Sequence, residues 1–234
     1  MGSWEVAFDE GQLWPAPVAN QAAKRASAQE MAKRLRPGDV VGVGSGTTSR
    51  LTIEALAERT RAEGIAWTAV PTSLEVELTL AGHGIATASL SVLRPDWSFD
   101  GADEVDPVGN LIKGRGGALL REKLVMAASP ERYVVVDPSK LVDRLGLRVA
   151  VPLEVIPEAV RLVGDELARR GHRGVVLRHG DGKDGPLITE RGNYLLDVVV
   201  GGVTEHTESE LKAIPGVVES GLFIGYAPTV IVSG

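Results

Sequence analysis

The feature that most constrains the fold is an alternation of short apolar, β-branched runs with amphipathic helical segments across residues 39–136. Asp39–Val43 reads as a buried strand, followed by a helix over Thr47–Ala62 with Leu51, Ala55 and Leu56 inward. Ile65–Val70 is a second strand, Thr72–Ala81 a helix ended by Gly82, and Ile85–Ala88 a further short strand. Trp97–Phe99, Asn110–Ile112, the helix Leu119–Ala128 and the strand Arg132–Val136 continue the series. Strands that alternate with helices in this way imply a parallel sheet with helices on both faces. Ahead of it, Val18–Leu35 has a helical pattern with Ala22, Ala26, Met31 and Leu35 near one face, and Pro37-Gly38 stops it.

The rhythm changes after about Gly146. Strands at Val149–Val155, Val175–Arg178, Leu187–Thr189, Tyr194–Val200 and Val217–Glu219 accompany helices at Pro157–Arg170 and Glu208–Ala213. Residues 180–185 read as a hairpin loop. The expected organisation is an α/β domain over 1–147 and 222–234, with Thr229–Val232 returning to its sheet, and a smaller α+β domain over 148–221. Residues 1–16 form an irregular arm.

Composition narrows the chemistry. A net charge of −6 and the lack of any basic run leave no nucleic-acid footprint. With no cysteine there is neither a disulfide framework nor a thiolate zinc site. No apolar run reaches the length of a bilayer span and no secretory pattern opens the sequence, so the expected location is cytoplasmic. His83, His172, His179 and His206 lack metal-ligand spacing.

Three segments carry the functional signal. In Val-Gly-Val-Gly-Ser-Gly-Thr-Thr (41–48), a strand runs through a glycine turn into a helix opened by hydroxyls. The third glycine of a dinucleotide fingerprint is absent, Thr47 standing in its place, and there is no Walker lysine. Backbone N–H groups with Ser45, Thr47 and Thr48 suit a phosphate monoester. A plain tight turn with Thr47 or Thr48 as N-cap fits equally well.

The second segment masses Asp96, Asp100, Asp103, Glu104 and Asp106 around the end of an apolar strand. Ligands of open α/β sheets bind at such strand ends, and crowded carboxylates raise one another's pKa. A solvated acidic loop and a divalent-metal site are the competing readings. In the third, Lys113, Gly114, Gly116 and Gly117 lead into a helix whose expected buried stripe is Leu120, Leu124 and Ala127. That periodicity puts Glu122 on the opposite side, either as a solvent-facing charge or, if that face borders a cleft, as a functional one.

These segments, in this order and spacing, resemble ribose-5-phosphate isomerases of the A type. Asp-Gly-Ala-Asp-Glu (100–104) followed by Lys-Gly-x-Gly-Gly and Glu122-Lys123 is the most specific part, supported by Val-Val-Asp-Pro-Ser-Lys (135–140), Pro-Leu-Glu-Val-Ile-Pro (152–157) and Ile-Pro-Gly-Val-Val-Glu-Ser-Gly-Leu-Phe (214–223). The resemblance spans about residues 18–223. It implies a Rossmann-like α/β domain carrying a smaller α+β domain, assembled as a homodimer or homotetramer. It further implies interconversion of D-ribose 5-phosphate and D-ribulose 5-phosphate in the pentose phosphate pathway, with no metal or organic cofactor.

Carried over by motif, Glu122 is the proton-transfer base, Lys113 stabilises the oxyanion, and Asp100 or Asp103 opens the sugar ring. Substrate contacts fall on Ser45, Gly46, Thr47 and Thr48, on Asp100, Gly101, Ala102 and Asp103, on Lys113, Gly114, Arg115 and Gly116, and on Lys140. Lys24 on the first helix assists at the phosphate. Two departures stand out: Arg115 replaces a glycine common in the family, and Ser-Gly-Thr-Thr replaces Thr-Gly-Ser-Thr with every hydroxyl preserved. The alternative from another class is a non-catalytic sugar-phosphate sensor. Its usual helix-turn-helix partner cannot be supplied by the short segment before the first helix.

Overall fold

The computed structural model describes residues 21–233, apart from 181 and 183. The arm expected over residues 1–16 lies outside the described residues, as do two positions of the 180–185 loop. The described chain opens with α1 (Gln21–Ala32), β1 (Val40–Val43), α2 (Gly46–Glu63), β2 (Thr68–Pro71), α3 (Leu74–Gly82), β3 (Ala86–Thr87) and β4 (Trp97–Asp100). After two short strands, β5 (Glu104–Val105) and β6 (Leu111–Ile112), come α4 (Leu119–Ala128) and β7 (Glu131–Val136).

Four of these strands, β7-β4-β1-β2, form the middle of a six-stranded sheet flanked by β3 and by β13 (Thr229–Val232), and every pairing is parallel. The return of the last strand to this sheet matches the sequence expectation. β7 explains the two-sided core through its period of two. Tyr133 and Val135 join Met31, Ile53, Leu56 and Leu80 on one face, whereas Val134 and Val136 join Met126, Leu111 and Phe223 on the other. Helices α1, α2 and α3 therefore cover one side and α4 the other, an α/β fold with a parallel sheet between helices.

α4 lies close over β1 because Gly42 has no side chain: a Cβ there would meet Val125 Cγ1 at 2.5 Å. α1 is turned differently from the expectation. Lys24, Ala28, Met31 and Leu35 face inward, while Ala22 and Ala26 are exposed. The apolar count alone misses this because the inward stripe contains a lysine, which pairs with Asp137.

The remaining chain builds an antiparallel sheet in the order β11-β8-β10-β9, from β8 (Val151–Val155), β9 (Arg173–Leu177), β10 (Tyr194–Val199) and β11 (Val217–Ser220). α5 (Val160–Arg169) packs Val163 and Leu167 against it, and α6 (Thr207–Lys212) adds Leu211. The strand expected over Leu187–Thr189 is reduced to a single bridge, Ile188 to Tyr194. The chain there is already turning, with Gly192 N–H donating to Thr189 O and Thr189 N–H to Asn193 O. Two-residue β12 (Leu222–Phe223) pairs with β6, and β6 with β5, in a three-stranded antiparallel ribbon between the larger sheets.

Two buried charges tie these layers together. Glu104 on β5 accepts N–H bonds from Gly146 (2.6 Å), Arg148 (2.6 Å) and Val149 (3.1 Å), fixing the crossover into β8. Lys123 on α4 donates to Glu219 (2.9 Å), Glu208, Ser220 O (2.6 Å) and Leu222 O (2.6 Å), and its ammonium lies 4.7 Å from the Phe223 ring centre. Removing one partner of a buried ion group leaves the others desolvated and unpaired. Lys123→Met is therefore expected to lower unfolding stability by about 3 kcal/mol in urea titrations, and a loss under about 1 kcal/mol contradicts this role.

Candidate active site

β7, β4 and β1 are neighbours in the sheet, and the loops leaving their carboxyl ends meet on one edge. Beyond β1, Gly44 has its N–H on Phe99 O (2.8 Å), and a Cβ there would sit 2.2 Å from Asp100 Cγ. That position must be glycine so that the Asp100 carboxyl can lie across the end of β1. Gly46, at φ +86°, turns the chain into α2. The first N–H groups of this 18-residue helix have no partner within the helix, and Thr47 and Thr48 are half-buried beside them. Ser45 is the N-cap residue, yet its hydroxyl makes no cap bond; it donates instead to Glu122 Oε1 at 2.6 Å.

Glu122 is buried, against the periodicity reading. α4 turns Leu119, Glu122, Lys123 and Met126 inward, and leaves Leu124 and Ala127 exposed. The stripe expected at Leu120, Leu124 and Ala127 fails because two of the inward positions carry paired charges. Glu122 Oε2 has no hydrogen bond and no contact with solvent; its nearest charge is Lys113 Nζ at 3.4 Å.

Lys113 follows β6 and is 3% exposed. Its ammonium meets Asp100 Oδ2 at 3.0 Å and donates to Gly101 O at 2.6 Å. Burial alone would lower the Lys113 pKa, but Asp100, Glu122 and Asp103 outweigh it and hold it above the ordinary lysine value. Burial also pushes the Asp100 carboxyl up to about 7; Lys113 and the Gly101 N–H (2.7 Å) oppose the rise, and the charge of Glu122 adds to it. Asp103 is raised as well by burial, against the pull of Lys113, the Arg115 N–H and Lys140.

The acid cluster is not one group. Of these carboxylates only Asp100 pairs with Lys113, while Asp103 accepts the Arg115 N–H and feels the Lys113 charge. Asp96 sits at the opposite end of the sheet and accepts from Val40 N–H (2.8 Å), Glu104 caps the crossover, and Asp106 closes a turn through the N–H groups of Val108 (3.1 Å) and Asn110 (2.8 Å). Ala102 packs on the apolar cluster of Val105, Met126 and Phe223. Arg115 N–H donates to Asp103 Oδ2 at 3.2 Å, and residues 115 and 116 are exposed. Gly114, at φ +102°, could not carry a Cβ, which would meet Leu119 Cβ at 2.7 Å.

At the end of β7, Asp137 receives Ser139 N–H (3.0 Å) and Lys24 Nζ lies 3.7 Å from its other oxygen. Burial opposes ionisation of Asp137, but the Ser139 bonds, Lys24 and Lys140 outweigh it and keep its pKa low. Lys24 and Lys140 thus stand on the same edge as the α2 N-terminus. Arg178, which donates to Gly114 O and Arg115 O, carried no sequence signal. Arginine is the common cation of this chain, and nothing local distinguishes this one.

The fold and site together define an enzyme that handles protons on a small phosphorylated substrate. Residues 68–234 match the family model described as ribose 5-phosphate isomerase A (phosphoriboisomerase A). The ribose-5-phosphate isomerase A of Methanothermobacter thermautotrophicus is 44% identical over 210 residues, covering 89% of this chain and 92% of that protein. The structure of ribose 5-phosphate isomerase A from Methanocaldococcus jannaschii superposes with a TM-score of 0.88 at 38% identity, over 92% of this chain and 96% of that one. A D-ribose-5-phosphate isomerase in complex with phospho-erythronic acid gives the same TM-score at 39% identity and the same coverage. The chain belongs to the ribose 5-phosphate isomerase A family.

The raised Asp100 pKa has a stability consequence with a definite sign. Between the ordinary carboxylate value and about 7 the folded state holds a proton that the unfolded state has lost. The contribution of Asp100 is therefore complete at low pH and disappears as pH rises through about 7. Asp100→Asn cannot titrate, so the wild-type Tm minus the variant Tm is expected to be larger at pH 5 than at pH 8. A difference that grows with pH contradicts the assignment.

Proposed function

We propose that this protein interconverts D-ribose 5-phosphate and D-ribulose 5-phosphate, an aldose–ketose isomerisation through an enediolate. The observation that carries the reading is the Glu122 carboxylate. It is buried, one oxygen is fixed by Ser45, and the other is free of hydrogen bonds beside a buried ammonium. A carboxylate so held has one lone pair ready for a proton and little solvent to compete for it.

The substrate phosphate is assigned to the α2 N-terminus, with Ser45–Thr48 around it and Lys24 and Lys140 supplying charge. Anchoring the phosphate there turns remote binding energy into orientation of C1 and C2. Asp100, with a pKa of about 7, and Asp103 are assigned to ring opening, since a carboxyl near its midpoint can both take and return a proton. Glu122 then takes the C2 proton of the open aldose and returns it to C1, while the proton of the C2 hydroxyl passes to O1, leaving the carbonyl at C2. As the proton leaves C2, negative charge moves onto O1, and the Lys113 ammonium stabilises it. Gly101, Ala102, Gly114, Arg115 and Gly116 shape the walls around the sugar.

The reading also assigns residues 1–147 and 222–234 to an α/β catalytic unit and 148–221 to a smaller unit, a division supported by the change of sheet membership. A homodimer or homotetramer in the cytoplasm completes it. Exposed Val176, Ile188 and Val199 on the smaller unit support assembly, and no helix among the described residues is long and apolar enough to cross a membrane.

Turnover of ribose 5-phosphate by chelator-treated protein tests the reading. Wild type is expected to remain active, and Glu122→Gln to lose at least about 10³-fold in kcat with ribose 5-phosphate still bound. Wild type that binds the sugar phosphate without turning it over would point to the sensor, and an active Glu122→Gln enzyme would remove Glu122 as the base.

A further inference from the structure

The antiparallel sheet sends one guanidinium to the loop behind Lys113. Arg178 directly follows β9, and its backbone is tied on both sides: its N–H donates to Leu195 O and its carbonyl accepts from Leu187 N–H, each at 2.8 Å. Its side chain forks onto Asp197 of β10, with Nε 2.8 Å from Oδ2 and Nη2 on Oδ1. A guanidinium held by a bidentate carboxylate has little freedom left, which suits it to fix something else.

The remaining nitrogen, Nη1, donates to Gly114 O (3.0 Å) and Arg115 O (2.9 Å). Gly114 C=O and Arg115 N–H belong to one planar trans peptide, so they point in opposite directions. One end of that peptide faces Arg178 and the other faces Asp103 Oδ2, at 3.2 Å. A charged donor on the carbonyl both orients this unit and polarises it, strengthening the N–H on its far side.

We propose that Arg178, held by Asp197, is a positioning residue of the isomerisation, orienting the Gly114–Arg115 peptide so that its N–H fixes the Asp103 carboxyl. The inference rests on the isomerase reading above and deepens it. It makes the smaller sheet part of the catalytic geometry, although Arg178 itself touches neither the proton-transfer carboxylate nor the phosphate turn. Without the guanidinium the Gly114 carbonyl keeps only the Gly117 N–H (3.1 Å), so the peptide loosens and its hold on Asp103 weakens. Arg178 donates to Asp197, Gly114 and Arg115 and to none of Ser45–Thr48, so the phosphate turn keeps its contacts.

The test compares wild type, Arg178→Ala and Arg178→Lys for ribose 5-phosphate turnover, inhibition by inorganic phosphate and Tm, with and without millimolar guanidinium chloride. Arg178→Ala is expected to lose about 10²-fold in kcat while phosphate inhibition is unchanged. Added guanidinium should restore about tenfold of that loss, and Arg178→Lys, which keeps charge without the fork, should stay slow. A kcat within about threefold of wild type, parallel loss of phosphate inhibition, or no response to guanidinium would each overturn the proposal. Should Arg178→Ala fail to fold, Asp197→Asn serves instead: it is expected to lower kcat with phosphate inhibition retained, and an unchanged kcat overturns the role. Inactive wild type would reject the isomerase reading and this inference together, whereas active wild type with indifferent variants rejects the inference alone.

Discussion

The buried Lys113 ammonium is the interaction on which the site depends. Taking such a charge out of water costs several kcal/mol unless opposite charge and hydrogen bonds replace the hydration. Here Asp100 and Gly101 O do so at 3.0 and 2.6 Å, with Glu122 at 3.4 Å. These partners come from the end of β4 and the first turn of α4, so the ribbon carrying Lys113 must dock where those two elements meet. Gly44 is bound by the same requirement, since any side chain there would occupy the space of Asp100. One cation therefore fixes the relation of β1, β4, β6 and α4.

The next residue after Glu122 solves a second problem with a second buried lysine. Glu122 looks toward the ends of the parallel strands, and Lys123 reaches β11 and β12 through Glu219, Ser220 O and Leu222 O. One turn of α4 thus carries the proposed base on one side and the bolt to the antiparallel sheet on the other. With Arg178 gripping the loop before the same helix, the smaller sheet holds α4 at its first turn and at the loop leading into it. Stability and catalytic geometry share these contacts, which explains why charged side chains occupy inward positions of a short helix.

Much of this was legible in the sequence. The bounds of α4, Leu119–Ala128, and of β13, Thr229–Val232, agree with the structure, because β-branched runs and helical periods are local signals. The family motifs named Lys113, Asp100, Asp103 and Glu122, and the fold brings Lys113, Asp100 and Glu122 into contact, with Asp103 on the Arg115 N–H. What failed was inference from polarity. A pattern that places every charge outside puts Glu122 and Lys123 in solvent and Ala22 and Ala26 in the core. Both errors come from charges whose partners lie far away in the chain. The acid cluster misled for the opposite reason: Asp96 and Asp100 are near in sequence, but a four-residue strand carries them to opposite ends of the sheet. Arg178 was invisible, since its contact with Gly114 joins two sheets across 64 residues. Two-residue β5 and β12 are too short to leave any periodicity.

On the isomerase reading the substrate lies between the α2 N-terminus and the Lys113–Glu122 pair. A crystal structure of this protein with phospho-erythronic acid tests it most directly, because the ligand joins a phosphate to a planar carboxylate of the shape and charge of an enediolate. The phosphate is expected against the N–H groups of Gly46–Thr48, with the ligand carboxylate within hydrogen-bond distance of Lys113 Nζ and facing Glu122 Oε2. A phosphate lodged on Lys113, or a ligand carboxylate remote from Glu122, would contradict it.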